Sequence, residues 1–250
     1  MLILKLTLVP LALLLFGVIE RRHGPRVAGW LAGFPMVAGP VLVLLALDRG
    51  AAFASAAGLG AYFGLLPWLA FTGCYAWCSD FCRWPPAFAL SLAAWALTAI
   101  VCVQFEDVRG LEVLPFLILL AALFLYPRGE ASDQEREHVW WGLPARMLAG
   151  AALTLLIMQF AGAFGTRWSG IFTTFPVMGS IVAVSSHIEH GRHAVREAVA
   201  GMTTGLASVA VFCFAAWLLL ARTGLWPAFA LALMASCATH ALTWLMFKKR

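Results

Sequence analysis

The feature that most constrains this chain is a succession of uncharged runs, each about as long as a lipid bilayer is thick. Trp84 to Phe105 and Ala198 to Ala221 contain no Asp, Glu, Lys or Arg, and about 20 consecutive apolar residues are enough for a helix to cross the hydrocarbon core. Inside lipid every backbone N–H and C=O must be satisfied within the protein, which leaves helices or closed barrels, and runs of this length select helices. Apolar stretches between charged or Gly/Pro punctuation predict helices near 2–20, 26–47, 53–78, 86–104, 111–127, 144–163, 167–188, 196–221 and 225–246. The expected fold is an all-α, polytopic transmembrane helix bundle of about nine spans. Composition agrees: 62% of residues are hydrophobic and 12% charged, against about half and about a quarter in soluble domains.

The cations sort by side. With nine crossings, Arg21, Arg22, Arg26, Arg83, Arg128, Arg136, Arg146, Arg192, Arg196, Lys248, Lys249 and Arg250 share one face, and Lys5, Arg49, Arg109, Arg167 and Arg222 the other. Positive charge favours the cytoplasmic side, so the C-terminus is expected in the cytoplasm and the N-terminus outside. The hydrophilic stretch 129–141, with Glu130, Asp133, Glu135 and Glu137, reads as a cytoplasmic connection. Cations scattered between apolar runs do not form a nucleic-acid footprint, so no nucleic-acid partner is expected. The six cysteines lie in or beside apolar segments and read as reduced packing residues, not as a disulfide framework. Residues 1–20 lack a small-residue cleavage site before Arg21-Arg22-His23 and read as a retained helix.

A single offset organises the rest. Arg26, Gly29, Phe34-Pro35, Val41, Val43 and Gly50 recur 141 positions later as Arg167, Gly170, Phe175-Pro176, Val182, Val184 and Gly191. The same shift carries Gly60 and Gly64 onto Gly201 and Gly205, Pro86-Ala87-Phe88-Ala89-Leu90 onto Pro227-Ala228-Phe229-Ala230-Leu231, and Lys5 onto Arg146. Agreement without a gap over this length implies two four-helix units, 1–104 and 142–250, separated by a linking helix and acidic linker, 105–141. One spacer helix is an odd number of crossings, so the second unit is expected upside down relative to the first.

Gly29, Phe34-Pro35, Asp48-Arg49-Gly50, Arg83, Pro85, Ala87-Phe88 and Trp95 together resemble the GlpM family of small four-helix bacterial inner-membrane proteins. The second unit keeps Gly170, Phe175-Pro176, Glu189, Gly191 and Pro227-Ala228-Phe229, but has His190 in place of the Arg and lacks a counterpart of Arg83. The resemblance implies a bacterial inner-membrane, multi-pass protein. It implies no reaction or substrate.

The paired Phe-Pro dipeptides fall near the middle of the second and seventh expected helices, where proline removes a donor and bends or opens the helix at mid-membrane. Interrupted spans at matching positions in two halves point to a transport site. Thr173, Ser180 and His187 are spaced by seven and would share one helix face, with Thr174 beside them. The expected substrate-binding set is therefore Gly29, Phe34, Pro35, Gly170, Thr173, Thr174, Phe175, Pro176, Ser180 and His187. The leading expectation is a small secondary transporter or exporter of a polar solute. The competing one is a non-transporting accessory subunit of a membrane complex such as polysaccharide export, with kinks and Gly-xxx-Gly pairs serving helix packing alone. No acyl-transfer, P-loop, dinucleotide or zincin motif occurs, so no enzyme is expected and no cofactor. The His187, Glu189, His190, His193 group and Cys74, Cys78, Cys82 have ligand chemistry but no recognised metal-site spacing. Expected partners are the lipid bilayer, a small polar solute, and a second copy or another membrane protein. Reporter tags on the two termini are expected on opposite faces of the membrane; finding both on one face removes the odd crossing count.

Overall fold

The computed structural model describes Arg22 and residues 25–105, 110–125 and 165–248. The expected helices 2–20 and 144–163, with Lys5 and Arg146, and the acidic linker 129–141 lie outside the described residues. The described part is all helical. Helix α1 spans Pro25–Ala32, α2 Ala38–Arg49, α3 Ala51–Phe63, α4 Leu65–Cys78 and α5 Trp84–Phe105. A short 3-10 turn, Leu111–Val113, leads into α6, Leu114–Leu125. Helix α7 spans Gly165–Thr173, α8 Val177–Thr223 and α9 Leu225–Lys248.

Four helical stretches among the described residues are long and apolar enough to cross a membrane: Ala51–Cys78, Trp84–Phe105, Gly165–Thr223 and Leu225–Leu245. The first runs on from α3 to α4 because Gly64 keeps helical dihedrals and donates its N–H to the Gly60 carbonyl at 2.8 Å. Burial separates inner from outer helices: 78% of the Ala51–Cys78 window is buried, but 33% of the windows in α5 and α9. The outer helices present Leu97, Ile100, Phe124, Leu125, Met234 and Leu242 outward. An exposed apolar belt of this extent is stable against hydrocarbon and not against water. These are the features of a multi-pass membrane protein.

Two pairs of breaks interrupt the helices where the sequence repeats. The chain leaves helical geometry between Ala32 and Ala38, and again between Thr173 and Val177. It does so once more at Gly50 (φ 90°) and at Gly191 (φ 74°), left-handed values that cost an L side chain strain and glycine none. Gly191 divides α8 into two helical segments, 177–190 and 192–223. Each of these breaks lies 141 positions from its counterpart.

Packing between the matched elements is crossed. Helix α1 lies against the second segment of α8, and α7 lies against α3. At the first crossing a Cβ on Gly29 would collide with the Ala198 carbonyl oxygen, and one on Gly201 with that of Arg26. At the second a Cβ on Gly170 would collide with the Ala57 carbonyl oxygen and stand 2.6 Å from the Ala61 nitrogen. Positions 29 and 198 at one crossing thus correspond, after the 141-residue shift, to 170 and 57 at the other. Helix α5 flanks α4, and α9 flanks α8.

Gly29→Ala and Gly170→Ala force backbone against backbone, and each is expected to destabilise the detergent-solubilised protein by about 1–3 kcal/mol. Gly179→Ala, whose new methyl would meet nothing nearer than 3.4 Å, is expected to be close to neutral in the same unfolding measurement.

Candidate functional site

The two helix breaks meet. Phe34, Pro35 and Phe175 line one interior cavity of about 20 Å³, together with Ala32 and Thr173 from the last residues of α1 and α7. Val37 and Ala38 line it from the start of α2, and Val177 and Met178 from the start of α8. Trp68 and Val209 complete the lining. Several of these are counterparts across the 141-residue shift: Ala32 and Thr173, Phe34 and Phe175, Val37 and Met178, Trp68 and Val209. A water needs about 10–15 Å³ of such space, so the cavity holds one water-sized particle.

Proline is the reason the helices open at this point. Each Pro forces the preceding residue out of helical geometry and lacks the N–H that would continue the ladder. The carbonyls released at the ends of α1 and α7 are largely recaptured by tight turns. Gly33 N–H donates to the Gly29 and Trp30 carbonyls, both at 3.2 Å, and Phe34 N–H to that of Leu31 at 3.0 Å. In the second break Thr174 N–H donates to Ile171 at 3.3 Å and Phe175 N–H to Phe172 at 3.1 Å. Each Phe ring then wedges against the outer helix of the opposite half. Phe175 stands edge-on to Trp95 of α5 with centroids 4.8 Å apart, and Phe34 edge-on to His240 of α9 at 5.1 Å.

The other expected site residues are dispersed. Gly29 and Gly170 sit at the helix crossings, where they permit contact. Thr174 donates its hydroxyl across the crossing to the Ala61 carbonyl at 3.2 Å, at the position where the first half has Gly33. Thr173 lines the cavity, but its hydroxyl donates to the Ser169 carbonyl of its own helix at 2.6 Å. Pro176 accepts the Ser180 N–H on its carbonyl at 2.7 Å. Ser180 is buried, and its hydroxyl has no hydrogen-bond partner among the described residues.

The seven-residue spacing of Thr173, Ser180 and His187 assumed one unbroken helix. The break between Thr173 and Val177 places Thr173 on α7 and the other two on α8, so the shared face is lost. His187 lies near Gly191 at the far end of its segment, where its Nδ1 is 3.3 Å from the buried Tyr75 hydroxyl. Arg196 forms an ion pair with Asp80 that ties the second segment of α8 to the turn after α4.

Trp68 escapes sequence reasoning. Its side chain is 6% exposed and its indole N–H has no acceptor among the described residues. The 141-residue shift carries a sign of it, since a donor-bearing ring stands where the other half has Val209. A second polar feature centres on His240, an ionisable side chain set deep in an apolar run of the sequence. The Ser208 hydroxyl is 3.0 Å from His240 Nδ1, and the Ser236 hydroxyl donates at 2.9 Å to the Ser208 carbonyl. Trp30 stacks on His240 with centroids 3.8 Å apart and donates to Thr243 at 3.1 Å. This network fastens α9 to α1 and α8.

No family model, curated protein or solved structure matches the chain.

Asp80→Asn and Arg196→Gln are each expected to lower stability. Because both side chains are partly exposed, 16% and 31%, a double-mutant cycle should return a coupling of about 1 kcal/mol.

Proposed function

We propose that this protein is a small secondary transporter or exporter built from two inverted four-helix units, 1–104 and 142–250, with its path where the two broken helices meet. The observation that carries the reading is one interior cavity lined by both Phe34-Pro35 and Phe175. Interrupted helices with their half-helix ends at mid-membrane supply polar backbone groups where the bilayer offers none, and a packed bundle has no need of two such breaks at one point. The matched breaks, the crossed packing of α1 on α8 and α7 on α3, and the one-spacer arithmetic all support inversion. On this reading each half is a GlpM-like unit in a bacterial inner membrane, with nine crossings, the N-terminus outside and the C-terminus in the cytoplasm. The chain carries out no covalent chemistry, and Phe34 and Phe175 act as the paired constriction.

A second reading has its own observation. The cavity is about 20 Å³, far below the roughly 300–1,000 Å³ of small-molecule sites, which suits an accessory subunit whose kinks serve packing. The two part company in proteoliposomes. A transporter releases small polar solutes or ions above the rate of empty vesicles, and Phe34→Ala with Phe175→Ala, by widening the constriction, is expected to raise that release several-fold. Release indistinguishable from empty vesicles across neutral, anionic and cationic solutes, in wild type and double variant alike, favours the accessory subunit.

A further inference from the structure

We infer that the central cavity is a binding site for one small monovalent anion, of halide size. This deepens the transport reading by naming the substrate class, and it rests on that reading only where movement across the membrane is concerned.

Two helices start at the cavity, α2 at Ala38 and α8 at Val177. The first N–H groups of a helix have no intrahelical acceptor, and its N-terminus carries roughly half a positive charge. Two such ends converging on one cavity offer about one unit of positive charge, the complement of one monovalent anion. The opposing carbonyl ends, those of α1 and α7, are short and are tied into the turns at Gly33, Phe34, Thr174 and Phe175. On the donor side the Met36 and Val177 N–H groups are taken by the Phe34 and Phe175 carbonyls, both at 2.7 Å, and the donors left over are those next along each first turn.

A second, independent observation points the same way. The Trp68 indole N–H is a donor and cannot accept. It is buried, lacks an acceptor among the described residues, and lines this cavity. Its Nε1 is 3.4 Å from where a Cβ on Gly179 would stand, which puts it against the first turn of α8. An unpartnered buried donor costs about 1–3 kcal/mol. The Trp68 donor and the two helix starts thus flank one small space with no side-chain carboxylate in its lining. A cation is disfavoured by the same groups, and a space of about 20 Å³ favours a particle of water's dimensions over a larger metabolite. The cavity admits one particle of about water's dimensions.

The test uses the full chain, first in detergent and then in proteoliposomes. Melting is compared in sodium fluoride, sodium chloride, sodium gluconate and choline chloride at equal ionic strength. Saturating halide is expected to raise the melting temperature by about 3 °C or more over gluconate, with sodium and choline equivalent. Trp68→Phe keeps the ring and removes the donor. It is expected to weaken halide binding about ten-fold or more, and halide efflux with it. Equal melting in halide and gluconate means the cavity holds water alone and overturns the proposal. Stabilisation that tracks sodium instead of the anion overturns it in favour of a carbonyl-lined cation site. Should Trp68→Phe fail to fold, the wild-type halide comparison still decides. Halide stabilisation without efflux keeps the site and removes the transport reading; efflux of neutral solutes without any halide effect does the reverse.

Discussion

The structure depends on backbone meeting backbone at two glycine crossings. At each, a short helix that ends at a Phe-Pro break presses its spine onto a long helix from the other half of the chain: Gly29 and Gly201 at one, Gly170 and Gly60 at the other. In lipid there is little hydrophobic gain from joining two apolar helices, so association rests on close van der Waals approach, which small residues permit. The crossings fix where the short helices stop, and that decides where their breaks fall. Because both breaks then lie on the same interior point, polar backbone groups from two halves face one small space.

The crossed arrangement also makes the two halves mutually dependent. Helix α1 finds its packing partners in α8 and α9, and α7 finds its own in α3 and α5, where Arg167 reaches the Val103 carbonyl at 3.3 Å. The aromatic wedges make the same exchange, Phe34 against α9 and Phe175 against α5. The central space is therefore bounded by groups that neither half could supply alone.

Much of this is legible in the sequence for a physical reason. Lipid leaves few choices for a charge-free run, so α5, α8 and α9 appear close to where apolar length places them, and proline and glycine mark the breaks because few other residues allow them. The Gly60-xxx-Gly64 and Gly201-xxx-Gly205 spacing likewise announces close crossing, though not with which helix. Phase is the weak point: Thr173, Ser180 and His187 are seven apart in number, but the break at Phe175-Pro176 resets the helical rotation between the first and the second. Trp68, Tyr75, Asp80 and Arg196 stay hidden for another reason. Their roles come from partners distant in sequence, such as Tyr75 with His187 and Asp80 with Arg196, and periodicity carries no information about which distant segments touch.

Holding both crossings in one polypeptide leaves its mark at Thr174. Where Gly33 lets α1 sink against Gly205, Thr174 instead sends a hydroxyl to the Ala61 carbonyl beside Gly64. Were the assembly made of two identical chains, any replacement at this spot would arrive twice, and a side chain tolerable in one place would have to be tolerable in both. A single continuous strand is released from that rule. One crossing can be latched while its twin stays smooth, so the molecule can tell one side of itself from the other.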